Sequence, residues 1–142
     1  MGSAAGHDAK LTLAYCGASM DDASIDSLER LSHLLRQFAE DRNWGQFHSP
    51  RNLVLALAGE VGELASLIQW VPDDEVERWL KDDSNRSSFE AELADVFSYL
   101  LRLADTVKID LARALKEKIA LNESRYPREQ SFGSSDKYTK YE

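Results

Sequence analysis

Glu60 and Glu63, in the run Gly59-Glu60-Val61-Gly62-Glu63-Leu64, and Glu92 and Asp95, in Glu92-Leu93-Ala94-Asp95-Val96, form two acidic pairs of identical spacing. Three-residue spacing sets both carboxylates of a pair on one helix face, with Cβ atoms about 5–6 Å apart. Both pairs interrupt segments otherwise rich in Leu, Val, Ala and Phe, which should face a core. Four acids aimed at a helical interior repel one another and would be neutralised by protonation unless a cation joins them. Carboxylate oxygens suit hard divalent cations, and Mg²⁺ held by carboxylates commonly receives phosphates. The chemistry suggested is a metal-dependent site that handles phosphate.

A single Glu-x-x-Glu on a helix is ordinarily a solvated face. Taken jointly, the pairs read differently. A solvated face should carry basic partners, yet no Lys or Arg stands between Leu53 and Gln69. Two helices that each bring two carboxylates are a recognised way to build a metal site in a bundle. The lack of His in the pairs favours Mg²⁺ or Mn²⁺ over a di-iron plan. Trp44, Phe47, Trp70 and Tyr99 lie near the ends or polar stripes of the same segments. Aromatics usually pack cores, but Trp44 sits in a polar connection and Trp70 at a helix end. Base stacking on such rings is worth about 1–3 kcal/mol. Metal beside aromatic platforms suggests a nucleotide.

The elements that must position these residues are helical, and no strand pattern or internal repeat is evident. Residues 1–23 are small and polar and read as a disordered or loosely attached tail. From Ile25 the spacing of Leu28, Leu31, Leu35 and Phe38 predicts a helix to about Asp41, with Ser24 as its N-cap. Ser49-Pro50 reads as a cap followed by proline at the first helical position, opening a second helix to about Gln69. That helix is apolar nearly all round, as if buried by several neighbours; the small Ala56 and Gly59 leave room beside its acids. Asp73–Leu80 predicts a short charged helix, and Lys81–Ser88 a polar loop. A fourth helix, about Ser88–Val107, should bury Phe89, Leu93, Val96, Phe97, Leu100, Leu101 and Ala104. Its other stripe holds Glu92, Asp95, Tyr99 and Arg102. Asp110 caps a fifth helix, Leu111 to about Arg125, ended by Tyr126-Pro127. Residues 24–127 then form one all-α bundle, and residues 128–142 a polar tail.

Composition narrows the classes. At 142 residues the chain fits one domain. A formal net charge of −8 argues against nucleic-acid or anionic-membrane binding, while a bound metal would still admit a small polyanion. One cysteine, Cys16, offers no internal disulfide and fits a reducing, cytoplasmic setting, with a nuclear or organellar share left open. No run approaches a membrane span. Rival readings are a non-catalytic acidic helical oligomerisation or interaction module, and a di-metal oxidative bundle, which the missing helical His ligands disfavour.

The run from Phe38 through Trp44-Gly45-Gln46-Phe47-His48-Ser49-Pro50-Arg51-Asn52 to Leu53 resembles the dCTP pyrophosphatase branch of the MazG-like all-α nucleotide pyrophosphohydrolases. The resemblance continues through Leu57–Leu64 to Gln69-Trp70. It resumes at Glu92–Val96 and Tyr99-Leu100, and ends with Lys118–Pro127, echoed at Lys137-Tyr138-Thr139. It implies hydrolysis of dCTP, and of 5-modified analogues, to the monophosphate and pyrophosphate. It also implies a MazG-like bundle of four main helices plus a short one, assembled as a homotetrameric dimer of dimers. Glu60, Glu63, Glu92 and Asp95 match the family's Mg²⁺ ligands. Trp44, Trp70 and Tyr99 match positions around the base, and Asn122 one that reads it. Lys118, Arg51 and Tyr126 are candidates for phosphate contacts. Glu63 is the carboxylate most suited to orient or deprotonate the attacking water. One position departs from the pattern: a His is expected one turn before Phe38, where Leu35 stands, so a broader or shifted base preference stays open.

Overall fold

The computed structural model describes residues 27–140, and within them the fold is helical, without a strand. The expected tail 1–23, the proposed cap Ser24 and the proposed start at Ile25 lie outside the described residues. Helix α1 spans Leu28–Glu40, and Ser27 caps it by accepting from the Arg30 backbone N–H at 3.2 Å. Asn43 then adopts φ 52° and turns the chain into a 3₁₀ segment, Trp44–Phe47. Asn is among the few side chains that tolerate this left-handed region.

Helix α2, Pro50–Ile68, starts as the sequence predicts. Ser49 Oγ accepts from the Asn52 N–H, and Pro50 fills the first turn. The Asn52 side chain donates back to the Phe47 carbonyl at 3.0 Å, pinning the aromatic connection to the helix start. A 3₁₀ turn (Asp73–Glu75) and the four-residue α3 (Val76–Trp79) form the short charged element.

Helix α4 spans Asp83–Thr106, which corrects the polar loop expected over Lys81–Ser88. Asp82 Oδ1 accepts from both Ser84 N–H and Asn85 N–H, so an N-cap initiates the helix where polarity alone suggested a loop. Its C-terminus closes as a Schellman motif. Lys108 takes φ 59°, Ile109 N–H bonds the Ala104 carbonyl at 2.9 Å, and Lys108 N–H bonds the Asp105 carbonyl at 3.3 Å. Asp110 then caps α5, Leu111–Arg125, through the Arg113 N–H. The expected polar tail also carries structure: α6 (Arg128–Ser131) and a 3₁₀ turn at Tyr138–Lys140.

The principal packing is α2 along α4, with α1 laid against α4. Among the described residues the buried apolar side chains are Ala39, Leu53, Leu101 and Ala104. Within one chain α2 is covered on one side only. Leu53 is 1% exposed, but Val54, Leu55 and Val61 face outward. On α4, Leu93, Phe97 and Leu100 are likewise exposed rather than buried, as are Leu115 and Ile119 on α5. Only α4 packs broadly against α2, which leaves the rest of its apolar surface uncovered within the chain. No single described helix is long and apolar enough to cross a membrane.

Candidate metal centre and aromatic cleft

The α2–α4 pairing brings carboxylates from both helices to one place. Oxygens of Glu60, Glu63 and Glu92 all lie within 4.8 Å of one another; Glu60 and Glu92 are half-buried and Glu63 is exposed. Asp95, one turn beyond Glu92, stands outside this trio but is close enough to act on Glu60. The Glu60 carboxyl is pushed above its usual range, first by partial burial and then by the charges of Glu63, Asp95 and Glu92. Among the described residues no Lys or Arg forms an ion pair with any of the four. Converging hard oxygen donors without an internal counter-ion fit a divalent cation. A Cβ at Gly59 or Gly62 would meet nothing within 4 Å, so open space does border the acids.

Asp95 also opens the second part of the site. With Leu35, Phe38, Trp44, His48, Tyr99 and Arg102 it lines a cleft of ≈ 330 Å³ between α1, the 3₁₀ connection and α4. Trp44 meets Phe38 edge-on with centroids 5.6 Å apart, and His48 at 6.3 Å. The Arg42 guanidinium lies 3.6 Å over the Phe38 ring, supporting that wall from outside. Glu92, Asp95, Tyr99 and Arg102 thus form one stripe running from the carboxylates to the aromatic cleft.

A polar network fixes the far wall. Arg102 Nε donates to His48 Nδ1 at 3.1 Å, and Nη1 to Asp105 Oδ2 at 2.6 Å. Asp105 also receives Nη2 and Nε of Arg36, at 2.6 and 3.1 Å. The hydrogen bond from Arg36 holds the Asp105 carboxyl below its usual range, against the opposing effect of burial. Burial, then the charge of Arg102, pushes His48 below the usual imidazole value. Sequence reasoning placed Arg102 on the stripe without a role, and missed His48, Asp105 and Arg36. Arg102 carries a legible signal, seven residues after Asp95 on one helix face, and Asp105 follows it by three on the same helix; His48 and Arg36 are joined to them only by tertiary contact.

Other candidates stand elsewhere. Trp70 is 87% exposed at the C-terminal end of α2, beside Val71, Pro72 and Arg78. Trp44 precedes the N-terminal end of that helix. The 19 residues of α2 rise about 28 Å, so within one chain the two rings cannot hold one base. Arg51 is exposed on the first turn of α2. Lys118, Asn122 and Tyr126 lie on or just after α5, of which Asn122 is half-buried, and none of them lines the cleft.

The MazG-like family model matches residues 57–140, which include all four acids. The chain belongs to the MazG-like family. Among MazG-like relatives, bovine dCTP pyrophosphatase 1 is 45% identical over 117 residues, covering 82% of this chain and 69% of that protein. The human dCTP pyrophosphatase 1 is 45% identical over 113 residues, covering 80% and 66% respectively. The chain therefore spans about two thirds of the length of these relatives. A crystal structure of a pyrophosphatase from Archaeoglobus fulgidus superposes with a TM-score of 0.66 at 38% identity, covering 70% of this chain and 92% of that one.

Proposed function

We infer that this MazG-like chain is a divalent-metal-dependent hydrolase that converts dCTP, and 5-modified dCTP analogues, to the monophosphate and pyrophosphate. The observation that carries the reading is the continuity of the site. Carboxylates from α2 and α4 converge at one end of a stripe whose other end opens into an aromatic cleft. Similarity to the dCTP pyrophosphatase 1 proteins supports the substrate. The −8 charge supports a free nucleotide rather than nucleic acid or a membrane as partner, and a cytoplasmic setting fits nucleotide-pool maintenance.

Glu60, Glu63 and Glu92, with Asp95 beside them, would hold Mg²⁺ or Mn²⁺. When bound, such a cation supplies positive charge to phosphate oxygens and acidifies water. Glu63, the exposed member of the trio, would take the proton of the attacking water at its carboxylate. Trp44 and Tyr99 offer the base a π-face at the other end of the stripe. The reading contains no covalent intermediate.

The exposed apolar faces of α2 and α5 support a homo-oligomer, a tetramer in this reading, in which Trp70, Asn122 and Lys118 of one copy approach the cleft of another. The catalytic unit is taken as residues 24–127. The deciding assay is pyrophosphate release from every ribo- and deoxynucleoside triphosphate, with and without Mg²⁺ or Mn²⁺. Metal-dependent release from dCTP is expected. Release of inorganic phosphate instead, or no release, refutes the reading.

A further inference from the structure

Arg102 belongs to the stripe that joins the carboxylates to the cleft, yet nothing in the hydrolysis itself uses it. It follows Asp95 by two turns, about 10 Å along the helix axis, and lines the cleft with Trp44, His48 and Tyr99. Its side chain is 14% exposed, and the Asp105 side chain that clamps it is 9% exposed. The guanidinium is therefore held rather than free to swing.

The donor inventory of this wall is one-sided. An arginine carries five N–H donors and no acceptor. Nε is spent on His48 and one N–H of Nη1 on Asp105, which leaves three donors for a ligand. Because His48 Nδ1 accepts from Arg102, the neutral ring carries its proton on Nε2 and is a donor there as well. Leu35, on the wall of the same cleft, offers no hydrogen bond at all. The Arg102–His48 pair is therefore the part of this cleft that offers a base a fixed set of donors.

A base edge that meets donors must present acceptors. Cytosine presents two adjacent ones, O2 and N3. Thymine and uracil carry a hydrogen on N3 and would set donor against donor; guanine meets donors only through O6 and N7, on a different edge of a larger base. We propose that Arg102, clamped by Asp105 and His48, reads the O2/N3 edge of cytosine and is a determinant of base choice in this chain. The inference rests on the nucleotide-hydrolase reading above and adds the group that selects the base.

The test compares kcat/KM of the full chain with Mg²⁺ for dCTP, dUTP and 3-deaza-dCTP, in which a C–H replaces N3. The wild type should prefer dCTP over the 3-deaza analogue by about 10–100-fold, the scale of a hydrogen bond to a charged group. Arg102→Met, which keeps length and leaves Asp105 paired with Arg36, should bring the three substrates to within a few-fold of one another. Equal use of dCTP and 3-deaza-dCTP by the wild type overturns the inference even where the variant fails to fold. Equal loss on all three substrates in Arg102→Met also overturns it, since that marks a structural role. Absence of pyrophosphate release from any triphosphate removes the hydrolase reading instead, and this inference with it.

Discussion

Arg36 of α1 and Asp105 of α4 meet in a two-point ion pair, Nη2 on Oδ1 at 2.6 Å and Nε on Oδ2 at 3.1 Å. The pair spans 69 positions of sequence and joins α1, which carries Leu35 and Phe38, to α4, which carries Asp95, Tyr99 and Arg102. Asp105 also holds Arg102, and Arg102 holds His48. One nearly buried carboxylate thereby sets the spacing of both walls of the aromatic cleft.

Asp105→Asn should lower stability at neutral pH by about 2–3 kcal/mol, less than a fully buried pair because Arg36 is partly exposed. The native carboxyl is depressed from its usual value of 3.8. Its stabilisation is therefore fully present above that pH and is lost as pH falls through the lower folded value. Denaturation midpoints of wild type and variant should differ at pH 7 and converge in strong acid. Equal midpoints at pH 7 would contradict the role assigned to the pair.

His48 should titrate below its usual value of 6.5, and Arg102→Met should move it part of the way back, because burial remains when the neighbouring charge is gone. Between the folded value and 6.5 the unfolded chain holds a proton that the fold does not. This group therefore contributes stability that declines as pH drops through that window. NMR titration of the His48 ring measures both; a His48 pKa above 6.5 in the wild type is the contrary result.

Glu60→Gln and Glu63→Gln should each cut turnover by about two orders of magnitude or more, the scale of a lost positioned base or ligand, while helicity is kept. Glu60→Gln also removes a charge that its neighbours disfavour, so the metal-free variant should melt at or above the wild-type temperature. Mg²⁺ should raise the wild-type Tm and leave Glu60→Gln nearly unmoved. Its affinity should climb with pH as Glu60 gives up its proton. A full Mg²⁺-induced shift in Glu60→Gln would rule out this ligand set.

Leu55→Asp, on a position 66% exposed within the chain, should reduce the mass seen by light scattering if the outer face of α2 joins subunits. Activity should fall with it. A variant of unchanged mass and activity would place the contact elsewhere.

Lys108→Gly should stabilise the fold by about 0.5–1 kcal/mol. Lys108 holds the left-handed position of the Schellman turn at φ 59°, where a Cβ is a cost and glycine is not. Its Nζ stands 3.8 Å from Asp105, a weak contact to lose because the ammonium is well exposed. Thermal melting reads the gain directly; a lower Tm would show that the lysine charge outweighs the backbone strain.

Local signals decided much of this protein in advance. Ser49-Pro50 and Asp110 opened helices where their side chains accept from backbone N–H groups, and those interactions need only three or four neighbouring residues. Asp82 carried the same signal, but a run of polar residues after it masked a helix whose first turns are solvated. The acidic pairs were legible because i, i+3 spacing fixes a face without reference to the rest of the chain. The bundle's burial was not legible. An all-round apolar α2 implies neighbours, and sequence does not say whether they come from the same chain.

The sequence by itself thus determined the helices, the four acids, the stripe from Glu92 to Arg102 and the family to which they belong. It did so because helix periodicity and capping are short-range. Only the tertiary structure decided which groups share a space. It set Glu60 and Glu63 against Glu92 across two helices. It also carried His48 onto Arg102 across 54 residues. Those outcomes depend on how α1, α2 and α4 pack, a long-range choice that no local spacing encodes.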